Sequence, residues 1–300
     1  ESDYEVFAEK LGVPFFYEDR INQDKWVEFL KGLDIDLGVA IYWRCIIQSK
    51  IIECSKLGFL NLHGGLLPRY RGNACANWEI LSGEDYHGVT VHLMEPGKLD
   101  SGPIVLQEKV PISKNTDVGD LMKVTESVGL GLMVKAVKLF TNGKVTLLEQ
   151  NQKDTLYCYP RIPEDGYIDW SANDVDIVRL IRSANKPYPG AYSYFKHYKT
   201  GEIKKISIFK VSTAVSDHEE FRCEPGHIIK IDGNTARGVC CGNGVILRLD
   251  DIEIEGKPTK AEEYFRTVRQ RLGILVEDWL YENASRLEKL EQVLRKSKLL

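Results

Sequence analysis

The chain has 300 residues, 43% hydrophobic and 28% charged, a composition typical of a folded protein long enough for two domains. Its formal net charge is −4, and residues 201–300 carry 17 Lys and Arg against 17 Asp and Glu, so neither the chain nor this third attracts polyanions in general. The seven cysteines lack a CxxC pair, so we expect neither structural zinc nor disulfides. No apolar run is long enough to span a membrane, and the N-terminus is too charged for a signal peptide. We therefore expect a cytoplasmic protein without a membrane partner.

The first part of the chain predicts an alternation of helices and strands. Apolar residues at helical spacing predict amphipathic helices over 2–11 and 23–33. After the second helix, residues 37–42 (LGVAIY) form a continuous apolar run, as expected for a strand covered on both faces. This βαβ rhythm predicts an α/β fold with a Rossmann-like, mostly parallel sheet and helices on both faces.

The stretch GFLNLHGGLLPRYRG, residues 58–72, predicts a buried strand that ends in a polar, glycine-rich loop. Asn61 and His63 lie at the carboxyl end of that strand, where open α/β sheets bind small molecules. They are therefore candidates for a hydrogen-bond donor and a proton acceptor acting on one reacting centre. The alternative is a capped turn with a satisfied histidine. The two following glycines and the basic turn favour the functional interpretation.

The next elements place a carboxylate in a second loop at the end of a strand. We predict a helix over 74–81, strands over 88–94 and 104–112, and a long helix over 117–139. Asp100 lies in the loop between the two strands and is expected to join Asn61 and His63. His92 lies on the first of these strands in an apolar context, so we interpret it as a core or sheet-surface residue. A metal site formed with His63 and Asp100 is the alternative, and no metal is predicted.

The second part of the chain predicts a smaller domain. Residues 1–142 form the predicted catalytic domain, and residues 143–168, poor in regular pattern, are the predicted linker. In residues 169–300, a helix over 174–183 precedes short strands separated by glycine turns, which is typical of a small OB-like β-barrel, followed by a C-terminal helix. The apolar stripe of that last helix either packs on its own domain or forms a homodimer.

The three polar side chains suit acyl transfer to an amine. Such a reaction needs a group that takes a proton, a donor to the carbonyl oxygen and a group that orients the base, roles that fit His63, Asn61 and Asp100. A serine-hydrolase mechanism is not favoured, because no G-x-S-x-G nucleophile elbow occurs.

Six motifs occur along the chain: NLH at 61–63, LLPRYRG at 66–72, GVT at 88–90, DSGPI at 100–104, DGYIDW at 165–170 and PYPGA at 187–191. Together they resemble the motifs of the tetrahydrofolate-dependent formyltransferases, the family that includes methionyl-tRNA formyltransferase and the nucleotide-sugar N-formyltransferases. The resemblance implies that Asn61, His63 and Asp100 are the catalytic set and that 10-formyltetrahydrofolate is the formyl donor. It also implies that the donor's pteridine is held, largely through backbone groups, by a set of five residues: Arg44, Cys45, Ile46, Ile47 and Leu99.

The sequence departs from the family pattern in three places. The family begins with a central strand, whereas this sequence starts at what corresponds to the helix before the third strand, so we expect a further segment of some tens of residues. Gly65 stands where many relatives have Ser. The loop of residues 95–99 is one residue longer than usual.

The acceptor amine is predicted from charge and from the basic turn. We expect the amino group of a nucleotide-linked amino sugar, with its phosphates or sugar near Gly65, Arg69, Tyr70 and Arg71. Initiator-tRNA formylation is the alternative, but it calls for a basic groove that the neutral C-terminal third does not provide. A non-catalytic folate- or nucleotide-binding module is a further alternative, which an acid and a base in one crevice argue against.

Overall fold

A computed structural model describes residues 2–214, 222–274 and 276–296. The chain folds into two compact units, each built from several segments. The first unit contains Glu1–Cys75, His87–Val110 and Val124–Cys158, and the second contains Ala76–Tyr86, Pro111–Lys123 and Tyr159–Leu300. The predicted division into residues 1–142, 143–168 and 169–300 stays a prediction, because these units interleave along the chain.

Eight α-helices are formed in the described part of the chain: α1 Ser2–Leu11, α2 Asp24–Gly32, α3 Ser49–Ile52, α4 Cys75–Ser82, α5 Val118–Thr141, α6 Asp174–Ser183, α7 Ala261–Tyr264 and α8 Val276–Lys296. The predicted helices over 2–11, 23–33, 74–81, 117–139 and 174–183 are confirmed to within two residues at each end. Local capping explains the start of α6, where the Asn173 side chain accepts a 2.9 Å hydrogen bond from the backbone N–H of Asp176.

The first unit is built on a four-stranded sheet with strand order β1-β2-β4-β5. Its strands, with the separate short pair β3 and β6, are β1 Gly38–Ile41, β2 Phe59–His63, β3 Arg71–Gly72, β4 Tyr86–Leu93, β5 Ile104–Pro111 and β6 Tyr157–Cys158. Strands β1 and β2 are parallel, as the βαβ rhythm predicts. Strand β4 runs antiparallel to β2, which the sequence did not indicate.

The sheet separates two apolar cores. On one face, Leu60 and Leu62 pack with Val91 of β4 and with Met133 of α5. On the other face, Phe59 and Ala40 belong to a cluster with α2 and α3. Successive side chains of a strand point to opposite faces, so the alternation in FLNLH places Leu60 and Leu62 against α5 and leaves Asn61 and His63 on the opposite face.

Strand β1 lies at the edge of the described sheet, with buried and exposed residues alternating. Val39 is 45% exposed and Ile41 is 38% exposed. The expectation of a strand covered on both faces is therefore wrong for these residues. The expectation of a further N-terminal segment stays a prediction.

The second unit contains a six-stranded antiparallel sheet, with order β7-β8-β11-β10-β9 and β12 on β11. Its strands are β7 Ala191–Lys196, β8 Ile203–Thr213, β9 Ile228–Ile231, β10 Ala236–Cys240, β11 Ile246–Ile254 and β12 Lys257–Thr259. Leu272 forms a bridge to Phe195 of β7, and Arg271 forms one to His227 beside β9, so one short segment joins the two sheet edges. The predicted fold class, a Rossmann-like sheet followed by a barrel-like sheet and a C-terminal helix, is confirmed.

Candidate active site

The side chains of Asn61 and His63 line a cavity of about 820 Å³ in the first unit. They share a face of β2 with Phe59, whose ring is covered by the cluster that includes α2 and α3. His63 is buried and Asn61 is partly buried. The strand therefore presents an amide and an imidazole at the floor of an open cavity.

Asp100 is brought to the same floor by a loop that folds back. Because β4 is antiparallel to β2, with Leu93 opposite Leu60, the end of β4 lies beside the beginning of β2. The following loop must return along β2 before Asp100 can reach His63. Asp100 does follow the end of a strand, as predicted, but it reaches Asn61 and His63 only because its loop returns along β2. The backbone of this loop has a left-handed φ of 48° at Asp100.

The Asp100 carboxylate contacts both predicted partners. Its Oδ2 accepts a 2.8 Å hydrogen bond from the backbone N–H of Gly72 and lies 3.6 Å from His63 Nδ1. Its Oδ1 lies 3.5 Å from Asn61 Nδ2. The structure therefore places Asn61, His63 and Asp100 together, as the sequence predicts, although their catalytic roles are not tested by this geometry.

The surroundings of Asp100 favour its charged form. Burial raises the pKa of this carboxyl, but the hydrogen bond with His92, the charge of His63 and the N–H of Gly72 outweigh burial and lower the pKa from 3.8 to about 2. Asp100 is therefore a carboxylate at neutral pH. It is able to stabilise a positive charge on a neighbouring imidazole.

His63 is oriented by a backbone carbonyl. Its Nε2 lies 2.6 Å from the carbonyl oxygen of Tyr70, which also accepts a 2.9 Å hydrogen bond from Cys75 Sγ. A carbonyl oxygen only accepts, so Nε2 carries a proton and the lone pair of a neutral ring is on Nδ1. That lone pair faces the Asp100 side, which makes Nδ1 the atom able to take a proton.

His92 is buried, as its interpretation as a core residue expects, and it also lines the cavity beside Asn61. It is 1% exposed and lies opposite Asn61 in the antiparallel β2–β4 pair. Its Nδ1 donates to the carbonyl of Leu93 at 2.8 Å, so in a neutral ring Nε2 accepts from Asn61 Nδ2 at 3.1 Å. When the ring is protonated, Nε2 instead donates to Asp100 Oδ1, which lies 3.5 Å away, and this is the His92 contact that favours the carboxylate. The antiparallel register, which places His92 beside Asn61, is the signal that could have identified it.

Gln150, which lies in the stretch predicted to be a linker, forms hydrogen bonds with the Asp100 loop. Its Nε2 donates to the carbonyl oxygens of Asp100 at 2.8 Å and Gly102 at 2.7 Å. Its Oε1 accepts from the Arg71 guanidinium, at 2.6 Å for the shorter of two hydrogen bonds. Nearby, Leu148 forms a bridge to Ile104. Residues 148–150 therefore belong to the first unit and help to hold the Asp100 loop.

The rim of the cavity contains the five residues predicted to hold the formyl donor: Arg44, Cys45, Ile46, Ile47 and Leu99. Ile46 is 73% exposed and Leu99 is 45% exposed, so both offer apolar surface to a ligand. The size of the cavity and its mixture of apolar walls with a polar floor are typical of small-molecule sites. The residues present therefore fit a flat heterocycle carrying a reactive group, although their contacts with a donor stay predictions.

The four residues predicted to contact the amine substrate lie in a different environment: Gly65, Arg69, Tyr70 and Arg71 are absent from the lining of this cavity. Tyr70 and Arg71 are each 1% exposed, and the Arg71 guanidinium is bound by Gln150 and Gln152. These two residues have no exposed surface for a substrate, and we assign them to the support of the loop. Arg69 is exposed, so it is the side chain of this set that a phosphate can reach.

Gly65 lies directly against the side chain of His63. A Cβ at this position would be 2.6 Å from the Tyr70 carbonyl oxygen and 2.7 Å from His63 Nε2. The absence of a side chain here lets the turn pack against the imidazole ring.

Within the described ranges, no group of three or more His, Cys, Asp or Glu side chains is arranged to hold a metal ion. Over the same residues, no helix has the length and apolar character that crossing a membrane requires.

Two family models match the chain. The model described as Formyl transferase matches residues 4–137, and the model described as Formyl transferase, C-terminal domain, matches residues 161–269. Together they cover more than half of the sequence.

Individual proteins with similar sequences include two bacterial enzymes. The Bifunctional polymyxin resistance protein ArnA of Wigglesworthia glossinidia brevipalpis is 33% identical over 223 residues, 74% of this chain and 32% of that protein. The Methionyl-tRNA formyltransferase of Citrifermentans bemidjiense is 33% identical over 254 residues, 84% of this chain and 74% of that protein. The chain thus spans about a third of the first protein and about three quarters of the second.

A similar fold is found in WlaRD, a sugar 3N-formyl transferase crystallised in the presence of dTDP and 5-N-formyl-THF. The TM-score is 0.58 with 18% sequence identity, over 85% of this chain and 80% of that one. At this identity the likeness shows the fold alone.

Proposed function

The chain belongs to the formyl transferase family, and we propose that it transfers a formyl group from 10-formyltetrahydrofolate to the amino group of a nucleotide-linked amino sugar. The observation that carries this proposal is the convergence of Asn61, His63 and Asp100 at the floor of the open cavity. The enzyme is an N-formyltransferase, as the sequence motifs predict.

The formyl donor is supported by the family and by the cavity. When bound, 10-formyltetrahydrofolate supplies the electrophilic formyl carbon and leaves as tetrahydrofolate. The rim residues Ile46 and Leu99 offer exposed apolar surface on which a flat ring can lie. This arrangement directs the reactive end of the donor to the polar floor.

Asn61 is the group that stabilises the formyl oxygen. One of its amide N–H groups is held by His92 Nε2 at 3.1 Å, and the other makes only a long approach of 3.5 Å to Asp100. The second N–H is left to donate to an oxygen that gains negative charge as the amine attacks. A preoriented donor of this kind lowers the barrier without reorganising during the reaction.

His63 accepts the proton that the amine loses, and Asp100 stabilises the imidazolium that forms. The attacking amine must lose one proton as the new C–N bond forms, and the lone pair on His63 Nδ1 accepts it. The imidazolium then lies 3.6 Å from the Asp100 carboxylate, which stabilises its charge. The proton is returned to the leaving nitrogen of the donor, so the catalyst ends the cycle unchanged.

The acceptor is proposed from charge. The neutral balance of residues 201–300 supports a small substrate whose few phosphates need only a local contact such as the exposed Arg69. Transfer to an initiator tRNA is the second candidate. It is favoured by the 33% identity to a Methionyl-tRNA formyltransferase.

A panel assay decides between these acceptors. Release of tetrahydrofolate is followed by absorbance with nucleotide-linked amino sugars that differ in base and amine position, and separately with aminoacylated initiator tRNA. We expect turnover with at least one sugar and none with the tRNA. Turnover with the tRNA alone would replace the sugar proposal. Folate binding without turnover on any amine would favour a binding module.

A further inference from the structure

The cavity rim includes a loop, residues 43–47 (WRCII), whose backbone is open. Over the residues that the structure describes, none of the five backbone N–H groups donates a hydrogen bond to another part of the chain. Trp43, Arg44, Cys45 and Ile46 are exposed and line the cavity. Because backbone donors require a partner when water is excluded, these groups are suited to a ligand's polar edge.

A loop with so few internal bonds needs anchors to keep one shape. One anchor is apolar: Ile47 is 6% exposed and packs in the cluster with Ile51 and Trp26. The other anchor is Asn22, which precedes α2. Its Nδ2 donates to the carbonyl of Ile46 at 2.8 Å, and its Oδ1 accepts from the N–H of Gln48 at 2.9 Å. The two hydrogen bonds flank Ile47, so one amide fixes both sides of the apolar anchor.

We propose that Asn22 is a positioning residue that holds this loop in the shape that binds the formyl donor. The inference rests on the proposed function for the identity of the ligand. An asparagine suits the place because the loop presents one acceptor and one donor, and a primary amide satisfies both. An aspartate keeps only the acceptor and brings a carboxylate oxygen against the Ile46 carbonyl, while an alanine keeps neither.

The first test follows donor binding without chemistry. Binding of 5-formyltetrahydrofolate, a non-transferring analogue, is measured by calorimetry for the wild type, Asn22→Ala and Asn22→Asp. We expect about tenfold weaker binding in both variants, since each loses at least one of two hydrogen bonds that shape the loop. In turnover, KM for the donor rises by a similar factor. KM for the amine stays within about twofold, because Asn22 lies outside the floor.

The second test follows the loop without any ligand. The rate of trypsin cleavage after Arg44 is measured in the protein without ligand. We expect about tenfold faster cleavage in Asn22→Ala, because the loop must leave its folded conformation before trypsin can cut it. Gln23→Ala is the matched control, since Gln23 is the exposed neighbour of Asn22 and its side chain makes no cap hydrogen bond. The thermal melt of each variant shows that it is folded, and Asn22→Asp replaces Asn22→Ala if the latter is unfolded.

The two tests separate the inference from the proposed function. Faster cleavage with weaker donor binding supports both. Faster cleavage in a protein whose wild type does not bind the folate analogue supports the anchor and overturns the proposed donor. Cleavage and donor binding equal to those of Gln23→Ala overturn the role of Asn22.

Discussion

The floor and the rim of the cavity are built in opposite ways. On the floor, His63 is 7% exposed and His92 is 1% exposed, and the polar atoms hold one another in hydrogen bonds or close contacts. On the rim, Ile46 is 73% exposed and the backbone of its loop has few partners. The protein thus preorients the groups proposed to do the chemistry, whereas it leaves the groups proposed to bind the donor open. Changes to the floor should therefore affect kcat, and changes to the rim should affect KM for the donor.

The largest expected effect is on the floor, at the proton acceptor. His63→Asn should lower kcat by about a hundredfold to ten-thousandfold, the usual contribution of a general base. Steady-state kinetics at saturating donor and amine measure this loss. Calorimetry with 5-formyltetrahydrofolate is the control and should show nearly unchanged binding. A variant that retains more than a tenth of the wild-type kcat would remove His63 as the essential base.

A smaller effect is expected from the pair of Asn61 and His92. Asn61→Ala should lower kcat by about a hundredfold, as loss of an oxyanion donor does. His92→Gln should lower kcat by about tenfold, because the Asn61 amide loses the ring nitrogen that orients it. In the double variant the His92 effect should disappear, since neighbouring residues that act through one another are not additive. Fully multiplicative losses in this double-mutant cycle would show that His92 does not act through Asn61.

The charge of Asp100 predicts a third effect, on stability. Its pKa falls from 3.8 to about 2 on folding, so the folded state favours the carboxylate. This stability is fully present above about pH 5 and is lost as the pH falls through 3.8 towards 2, a change of about 2 kcal/mol. Urea unfolding at several pH values should show the advantage of the wild type over Asp100→Asn shrinking from pH 5 downwards. A constant difference between pH 5 and pH 3 would mean that the pKa is not lowered.

The smallest effect is expected on the rim. Leu99→Ala removes an apolar side chain that is 45% exposed in the free protein. Donor binding can bury only this exposed part, so the substitution removes only part of the burial energy of a leucine. We expect KM for the donor to rise about threefold to fivefold with kcat unchanged. The matched control is Leu57→Ala, since Leu57 is 46% exposed and does not line the cavity. A loss confined to kcat would contradict the separation of floor from rim.

Local sequence patterns predicted most of the fold because they are set by neighbouring residues. The alternation of side chains in FLNLH accounts for the position of Asn61 and His63 on one face, away from the buried leucines. Helix limits were also predicted closely, since apolar spacing and capping act within a few residues. The barrel closure at residues 270–273 was not predicted, because it depends on contacts far apart in the sequence.

The same reason explains what was missed at the site. The direction of β4 relative to β2 depends on tertiary packing, and without it His92 could not be paired with Asn61. Gln150 was assigned to a linker, because nothing local shows that its amide reaches carbonyls 48 and 50 positions earlier. Arg71 was assigned to the substrate because an arginine in a glycine-rich turn is typical of phosphate sites. Its burial against Gln150 follows from the same long-range contact.

We propose that the residues of the floor catalyse direct transfer of the formyl group from the donor to the amine. A single turnover with donor labelled by ¹³C in its formyl group, using the amino sugar that the panel assay selects, tests it by NMR and mass spectrometry of products and protein. If transfer is direct, the label appears in an N-formyl amide of the sugar, with no labelled protein at any time and with loss of this product in Asp100→Asn. Label released as formate, or carried covalently on the protein, would contradict direct transfer.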